Sequence, residues 1–265
     1  IGADVQQGSE NNPDNPPRIE LEILGVGFAY KTWSIDYKIF TGDVSDPFSG
    51  AWEKLHQWAL ATRLTFTRRI DGFKFPVSLV FIDSGNDPDI VYQFTQRWQN
   101  TYPCKGFSDL KKRKNEHEDE LTQSNLKRYR PIKVGEDITL YTISTVYYKN
   151  QLYNALRVPR QPQDPQKPGF CDFPVDYDER YFDQLTAEEK IIVGRQIKYD
   201  SKGRRNESTD CRVYGLCAAD VFLDAELQIY RDHARAKGAT KAQLMDMNHR
   251  LVIDEMTRQT AVKKR

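Results

Sequence analysis

The chain has 265 residues, with 39 basic and 38 acidic side chains and a formal net charge of +1. It is long enough for one large or two small domains with a real core, and its bulk charge does not by itself indicate a nucleic-acid-binding protein. The sequence has no apolar run near the roughly 20 residues of a membrane span, no signal peptide and no GxxxxGK[ST] phosphate loop. The four cysteines and four histidines show no CxxC pair or zinc-ligand spacing, which favours reduced thiols.

The first forty residues predict three strands in an antiparallel meander. These strands cover residues 1–6, 19–30 and 32–40. The first strand carries an aspartate, Asp4. In the second strand, Glu20 and Glu22 alternate with apolar residues, so we expect one face of that strand to lie in solvent.

A later strand, over residues 77–83, is predicted to end at Asp83. Its apolar residues stop at this carboxylate, and Ser84 and Gly85 follow at once, which is typical of a buried strand closed by a turn. Open α/β sheets place their sites at such strand ends. Taken alone, however, Asp83 is more readily explained as a turn residue or as the cap of the next helix.

The other elements alternate between helices and strands. Apolar residues at helical spacing predict helices that begin near residues 46, 88, 148 and 185. In the last of these, Thr186 is the expected N-cap. Apolar runs and alternation predict strands at 138–143 and 169–174, and an edge strand or loop at 197–199.

The longest helix is predicted from Asn206 to about residue 237, because Asn206 is a good N-cap and Gly238 a good stop. Asp210 lies at the start of its apolar stripe, where a charge is costly unless it is paired or bound to a metal. Glu207 lies one turn earlier, where an acid compensates the helix dipole. Asp210, which faces inward, therefore calls for another explanation.

Two further expectations concern domain organisation. We expect one domain over residues 1–237, followed by a peripheral helix and a basic tail over 238–265. The chain begins at Ile1, without a methionine and inside a predicted strand, so we also expect it to be a domain of a longer polypeptide.

Three aspartates stand out from this order of elements: Asp4, Asp83 and Asp210. The chain has three antiparallel strands, a helix, further strands and a late helix. This order resembles the ribonuclease H-like fold, a mixed α/β sheet flanked by helices. In that fold the acids lie on the first strand, the fourth strand and a late helix. Carboxylates gathered in one pocket are hard ligands that favour Mg²⁺ or Mn²⁺. Two such ions, about 3.5–4 Å apart, can promote phosphodiester hydrolysis.

Short segments along the chain occur in the same order as in a known family. They are GADVQ (2–6), WSIDY (33–37), IDSG (82–85), KG (105–106), FP (173–174), YF (181–182), LTAE (185–188) and RNESTDC (205–211). Each segment alone is weak, but the ordered set covers nearly all of the chain to about residue 220. On these residues the chain resembles the nuclease domain of the lambda-type large terminase subunit of tailed bacteriophages.

The resemblance implies a metal-dependent endonuclease that cuts concatemeric double-stranded viral DNA during genome packaging. It implies two divalent ions, Mg²⁺ or Mn²⁺, on Asp4, Asp83 and Asp210, with Glu207 as an assisting acid or only a cap. The implied partners are a small terminase subunit, the portal and procapsid, and an ATPase domain on the N-terminal side of the same polypeptide, with no membrane. The implied location is the host cytoplasm, transiently at the procapsid.

Candidate phosphate contacts are the basic residues near this predicted site. They are Lys105, Lys111, Lys112, Arg113, Lys114, Lys127, Arg128, Lys198, Lys202, Arg204 and Arg205. Most belong to a charge-rich stretch, 108–130, whose usual interpretation is a solvated or disordered loop and whose functional alternative is a DNA-contacting flap. Ordinary solvated surface is an equally good explanation of these side chains.

The chain departs from the family pattern at three places. The loop at 7–18 and the stretch at 108–130 are longer than expected, and Asp172 stands where histidine is common before the Phe-Pro pair. Two alternatives remain open: another ribonuclease H-like enzyme, such as a junction resolvase or a transposase-like strand transferase, and a non-catalytic domain that docks on DNA or the portal.

Overall fold

The computed structural model describes most of the chain in one mixed α/β arrangement. The described residues are 1–9, 11–27, 30–61, 64–69, 72–108, 110, 128–159, 169–194 and 196–262. Their strands are β1 (Gly2–Gln6), β2 (Arg18–Val26), β3 (Thr32–Thr41), β4 (Thr65–Thr67), β5 (Lys74–Pro76), β6 (Val80–Asp83), β7 (Thr101–Phe107), β8 (Tyr129–Val134), β9 (Ile138–Ser144), β10 (Cys171–Asp172), β11 (Glu189–Val193) and β12 (Gln196–Asp200). Their helices are α1 (Gly50–Leu55), α2 (Pro88–Thr95), α3 (Thr145–Leu156), α4 (Glu179–Leu185), α5 (Glu207–Ala236), α6 (Lys241–Asp246) and α7 (His249–Val262).

Eight strands form the central sheet, in the order β10-β3-β2-β1-β6-β7-β9-β8. β1, β2 and β3 are antiparallel neighbours, whereas β1, β6, β7 and β9 run parallel. β8 is antiparallel to β9, and the short β10 is parallel to β3. Three antiparallel strands followed by parallel ones, with helices packed against the sheet, confirm the ribonuclease H-like fold expected from the sequence.

Each face of the sheet carries its own hydrophobic core. On one face, Ile19, Leu21 and Ile23 of β2 pack with Trp52 of α1 and Phe94 of α2, and these two aromatic rings lie 4.6 Å apart between centroids. On the other face, buried residues of β6, β9, α3 and α5 pack together: Phe81, Ile143, Tyr148, Val213 and Cys217. The sheet is therefore covered on both sides.

Helix α5 lies directly on β1. A side chain at Gly2 would place its Cβ 2.1 Å from the carbonyl oxygen of Cys211 and 2.3 Å from the backbone nitrogen of Gly215. Such distances leave no room for a side chain, so the strand and the helix pack backbone against backbone. This contact brings the start of α5 next to the aspartate carried by β1.

The prediction that one face of β2 lies in solvent is wrong. Glu20 and Glu22 are fully buried beneath α5, because arginine side chains lie against them, one from the same strand and one from the helix. Arg212 of α5 is paired with Glu22, and Arg18 of β2 with Glu20. Alternation correctly divided the strand into two faces, but the polar face is buried with its own counter-charges.

Three element boundaries also differ from the predictions. Thr186 does not begin a helix: it ends α4, where its hydroxyl donates to the carbonyl of Phe182. The helix expected from residue 46 starts at Gly50 and continues as a π-helical turn, His56–Leu60. The strand expected at 77–83 is shorter and covers only β6.

The C-terminal residues form two helices, of which α7 packs against α5. Leu223 and Leu227 of α5 form a small core with Val252 and Ile253 of α7. Helix α5 ends at Ala236, close to the predicted domain boundary, although the division into domains stays a prediction. None of the helices in the described part of the chain combines the length and apolar character needed to cross a bilayer.

Candidate metal centre

The three aspartates singled out in the sequence come from adjacent elements. Asp4 lies on β1 and is 4% exposed. Asp83 is the last residue of β6, which runs parallel to β1 with Ala3 opposite Ile82. Asp210 lies in the first turn of α5, the helix packed on β1. The fold therefore brings all three acids to one region.

Electrostatics show that the acids interact. Burial raises the pKa of Asp4 well above its usual range, and the negative charges of Asp210 and Asp83 raise it further. Burial also raises the pKa of Asp83, to about 6, against the opposing effect of the Gly85 amide; Asp210 adds to the increase and Lys105 reduces it. Three mutually repelling carboxylates, two of them largely buried, form a site that a cation would stabilise.

The hydrogen bonds of this site are incomplete at Asp83. The amide of Gln6 donates to Oδ2 of Asp4 at 2.6 Å, and the backbone amide of Gly85 donates to Oδ2 of Asp83 at 3.2 Å. The other oxygen of Asp83, Oδ1, is buried and has no hydrogen-bond partner within the described part of the chain. A buried carboxylate oxygen without a donor is costly, which is the condition that a bound cation would relieve.

The turn after Asp83 distinguishes the two interpretations of this residue. The helix that follows is capped by Asp87, whose side chain accepts from the amide of Ile90, so the prediction that Asp83 caps it is wrong. Asp83 does make a local turn contact with Gly85. A Cβ at Gly85 would stand 2.9 Å from Oδ2 of Asp83, so the glycine leaves space directly beside the carboxylate.

A buried lysine, which the sequence did not single out, contacts Asp210. The Lys149 ammonium, on α3, lies 3.0 Å from Oδ1 of Asp210 and 2.7 Å from Oε1 of Glu188. Burial opposes the charge of Lys149, but Asp210 and Glu188 outweigh this effect and raise its pKa. Lys149 shares a helix face with the buried Leu152, three residues on, and a lysine on an apolar face was the available signal.

Glu207 belongs to a separate network. Oε1 of Glu207 lies 2.5 Å from Nη2 of Arg18, whose Nε lies 2.5 Å from Oε1 of Glu20. Arg205 also contacts both acids, at 3.1 Å from Glu207 and 2.6 Å from Glu20. The Glu207 carboxylate is therefore held by two arginines. Among the charges that raise the pKa of Asp4, that of Glu207 has the smallest effect.

The basic residues proposed as phosphate contacts fall into three groups. The first lies outside the described residues: Lys111, Lys112, Arg113, Lys114 and Lys127. The second is engaged in contacts within the chain: Arg128 with Asp220 and Asp224, Arg205 with Glu20 and Glu207, Lys202 with Glu189, and Arg204 with the carbonyl of Ala187. The third comprises Lys105, close enough to Asp83 to affect its pKa, and the exposed Lys198.

The donor chemistry of the site fits a hard divalent cation. It offers carboxylate oxygens that repel one another, one unpartnered oxygen on Asp83 and open space at Gly85. In the described ranges, however, no three histidine, cysteine or acidic side chains already stand close enough to hold an ion together. Asp4 and Asp210 are instead held by Gln6, Lys149 and Asn206, so a side chain must move for the three to share an ion.

A ribonuclease H-like sheet with aspartates on β1, at the end of β6 and at the start of α5 defines a domain of the nuclease class. A family model for the endonuclease domain of the terminase large subunit gpA matches residues 1–228, and the chain belongs to this family. It is 32% identical over 216 residues to the terminase large subunit of Escherichia phage lambda. The match covers 78% of this chain but only 31% of that relative. No solved structure matches the chain.

Proposed function

We propose that this chain is a metal-dependent endonuclease that cuts concatemeric double-stranded viral DNA during genome packaging. Membership of the terminase endonuclease family supports a nuclease role in packaging. The observation that carries the metal dependence is the electrostatic coupling of Asp4 to Asp83 and Asp210, together with the unpartnered buried oxygen of Asp83. The Glu22–Arg212 ion pair also leaves an unpartnered oxygen, Oε2 of Glu22, but there the arginine supplies a neutralising charge. At Asp4, by contrast, the neighbouring charges of Asp210 and Asp83 are of the same sign, so a cation would be stabilised there.

Each aspartate has a distinct part in this proposal. Asp83 is the central acid, because one of its oxygens is unpartnered and the turn after it is open. Asp4 and Asp210 flank it from β1 and α5 and complete the ligand set for two Mg²⁺ or Mn²⁺ ions. When bound, such ions supply an activated water and neutralise the leaving 3′ oxygen. The products then carry a 3′-hydroxyl and a 5′-phosphate.

The DNA backbone is proposed to cross the sheet edge above Asp83. Lys105 lies near this acid, and the β11–β12 hairpin presents the exposed Lys198 and Lys202. Arg128 and Arg205 fit this role less well because their guanidinium groups already pair with buried acids. Basic side chains at these positions would place the phosphate backbone without reading the base sequence.

The remaining partners follow from the family and are also part of the proposal. We expect the domain to act beside an ATPase domain of the same polypeptide, with a small terminase subunit selecting the DNA and the portal of the procapsid receiving it. This work takes place in the host cytoplasm. The lambda relative is more than three times as long as the matched region, which leaves room for such a motor domain.

The test is cleavage of supercoiled plasmid in Mn²⁺ or Mg²⁺, compared with the same reaction in chelator. Asp83→Asn should abolish nicking and linearisation. The matched control is Asp87→Asn, four residues on, because asparagine caps a helix as well as aspartate does. Plasmid cutting by Asp83→Asn at the rate of the unmodified chain would sink the proposal, as would cutting that persists in chelator.

A further inference from the structure

The ammonium of Lys149 is placed where it competes with a cation for Asp210. The Lys149 residue is 7% exposed, and its Nζ lies 3.0 Å from Oδ1 of Asp210. The other oxygen of Asp210, Oδ2, accepts a hydrogen bond from the side-chain amide of Asn206 at 2.9 Å. Both oxygens of this acid are therefore engaged. Asp210 can bind a metal ion through Oδ1 only if the ammonium withdraws.

The structure also offers a place for the ammonium to go. Glu188 accepts from Lys149 at 2.7 Å and from Asn206 at 3.1 Å, both through Oε1. Its second oxygen, Oε2, is buried and has no hydrogen-bond partner within the described residues, and the Glu188 side chain as a whole is only 5% exposed. A buried carboxylate oxygen of this kind can receive the donor that Asp210 gives up.

We infer that Lys149 is a displaceable counter-ion of the metal-free site and that Glu188 is the residue that retains it. In the absence of metal, the ammonium neutralises Asp210 and limits the repulsion among the three aspartates. When a divalent cation binds, the ammonium leaves Asp210 and stays on Glu188. The inference rests on the proposed function, since it assumes that Asp210 is a metal ligand.

This arrangement makes a directional prediction about metal affinity. A cation must displace the ammonium, so removing the positive charge should tighten binding. Removing the negative charge of Glu188 should weaken binding of the cation, because the ammonium is then held more strongly by the charged Asp210 than by a neutral acceptor. Simple charge effects would give the same two signs, so the double variant is the test of competition: once the lysine is absent, Glu188→Gln should no longer weaken binding.

The experiment is a calorimetric titration of the 265-residue chain with MnCl₂. Lys149→Met should lower the Kd for Mn²⁺ by roughly tenfold, and Glu188→Gln should raise it by a similar factor, on the scale of one charge removed beside a partly buried acid. The double variant should bind about as tightly as Lys149→Met, whereas independent charge effects would add and return the Kd to that of the unmodified chain. The matched control is Lys190→Met: this exposed lysine contacts Asn150, the neighbour of Lys149, and neither acid.

Each outcome is decisive. The inference would be overturned if the unmodified chain, Lys149→Met and Glu188→Gln all bound Mn²⁺ with the same Kd. It would also be overturned if Lys190→Met lowered the Kd as much as Lys149→Met does. Weakened binding by the double variant would overturn it in favour of Glu188 as a metal ligand. If Lys149→Met does not fold, Glu188→Gln still tests the inference, because it leaves the lysine in place. If the unmodified chain does not bind Mn²⁺ at all, the proposed function is rejected instead.

Discussion

Helix α5 carries two clusters of charged side chains, and they differ in how completely their carboxylates are paired. Nearly three turns beyond Asp210, Oδ2 of Asp220 accepts from Arg128 at 2.7 Å and from Tyr148 at 3.0 Å. Asp224 is bound by Arg128, Tyr129 and His249 at 2.6–3.1 Å. Within the described residues, neither acid has a buried oxygen that lacks a hydrogen-bond partner.

The cluster at the start of α5 is open by comparison. Oδ1 of Asp83 and Oε2 of Glu188 are buried without a hydrogen-bond partner in the described part of the chain, and Asp4 is surrounded by like charges. We therefore expect the two clusters to have different roles: the fully paired one to hold elements together, and the one with unpartnered oxygens to accept a cation.

The largest expected effect separates activity from stability at the open cluster. Asp4→Asn should reduce plasmid cleavage by at least about a thousandfold, on the order of 4 kcal/mol of transition-state stabilisation. The fold should be unaffected or slightly more stable, because burial and neighbouring acids already disfavour the charge of Asp4. Cleavage rates and urea unfolding measure the two quantities. A large loss of stability would assign Asp4 to the structure instead.

The opposite result is expected at the closed cluster. Burial raises the pKa of Asp220 to about 6, although the Arg128 charge opposes this effect, so the acid is ionised at about pH 8. Asp220→Asn then removes the charge that partners Arg128, whose side chain is 27% exposed. The free energy of unfolding should fall at that pH by about 1–2 kcal/mol, because the relieved burial of the carboxylate offsets part of the lost pairing. Cleavage by the folded fraction should remain within about threefold of the unmodified chain, a difference of roughly 0.7 kcal/mol. If Asp220→Asn lost cleavage activity without losing stability, the cluster around Asp220 would have a catalytic role and not a structural one.

A pH series sharpens the comparison further. The pKa of Asp83 in the folded chain is about 6, above its ordinary value of 3.8, so the folded state binds more protons between these values. The free energy of unfolding should therefore decrease as pH rises from about 4 to 6 and stay lower above that window. In chelator, Asp83→Asn should remove about 1–2 kcal/mol of this decrease. If the free energy of unfolding of Asp83→Asn depended on pH in the same way as that of the unmodified chain, the raised pKa of Asp83 would be contradicted.

The smallest effect concerns DNA affinity. Lys198→Ala, on the exposed hairpin, should weaken binding of a short duplex by about two- to threefold and reduce the salt dependence by about one phosphate contact. Arg128→Ala should instead lower stability, because Asp220 and Asp224 lose their shared partner. Fluorescence anisotropy at several salt concentrations and thermal unfolding separate the two variants. If Arg128→Ala lost more DNA affinity than Lys198→Ala, Arg128 would be the residue that contacts DNA.

The sequence was sufficient for the fold class and for the elements that carry the three aspartates, but not for β7, β8 or the two small hairpins. Strand periodicity and the stop at Asp83 depend on local residues, and the order of elements then determined which acids share an edge of the sheet. The pairing of Glu22 with Arg212 could not be found in this way, because its members are 190 residues apart in sequence. The same holds for Lys149 and Glu188, which only the packing of α3 brings together.

One local error has a specific cause. Threonine is a favourable N-cap residue, and Thr186 was therefore predicted to begin a helix. The structure uses this threonine at the end of α4, where its hydroxyl bonds back to a carbonyl of the last turn. Threonine can satisfy either end of a helix, and only the preceding cap at Asp178 decides between them. The stretch at 111–127 lies outside the described residues, so its role as a flap stays a prediction.

The contact between Gly2 and the backbone of α5 also limits which substitutions the site tolerates. With the backbone at Gly2 against that of Cys211 and Gly215, packing of main chain on main chain sets the distance between the backbones that carry Asp4 and Asp210. The carboxylates can then adjust only through their side-chain conformations. A larger residue at position 2 would push α5 away from β1 and separate these two acids without changing either of them.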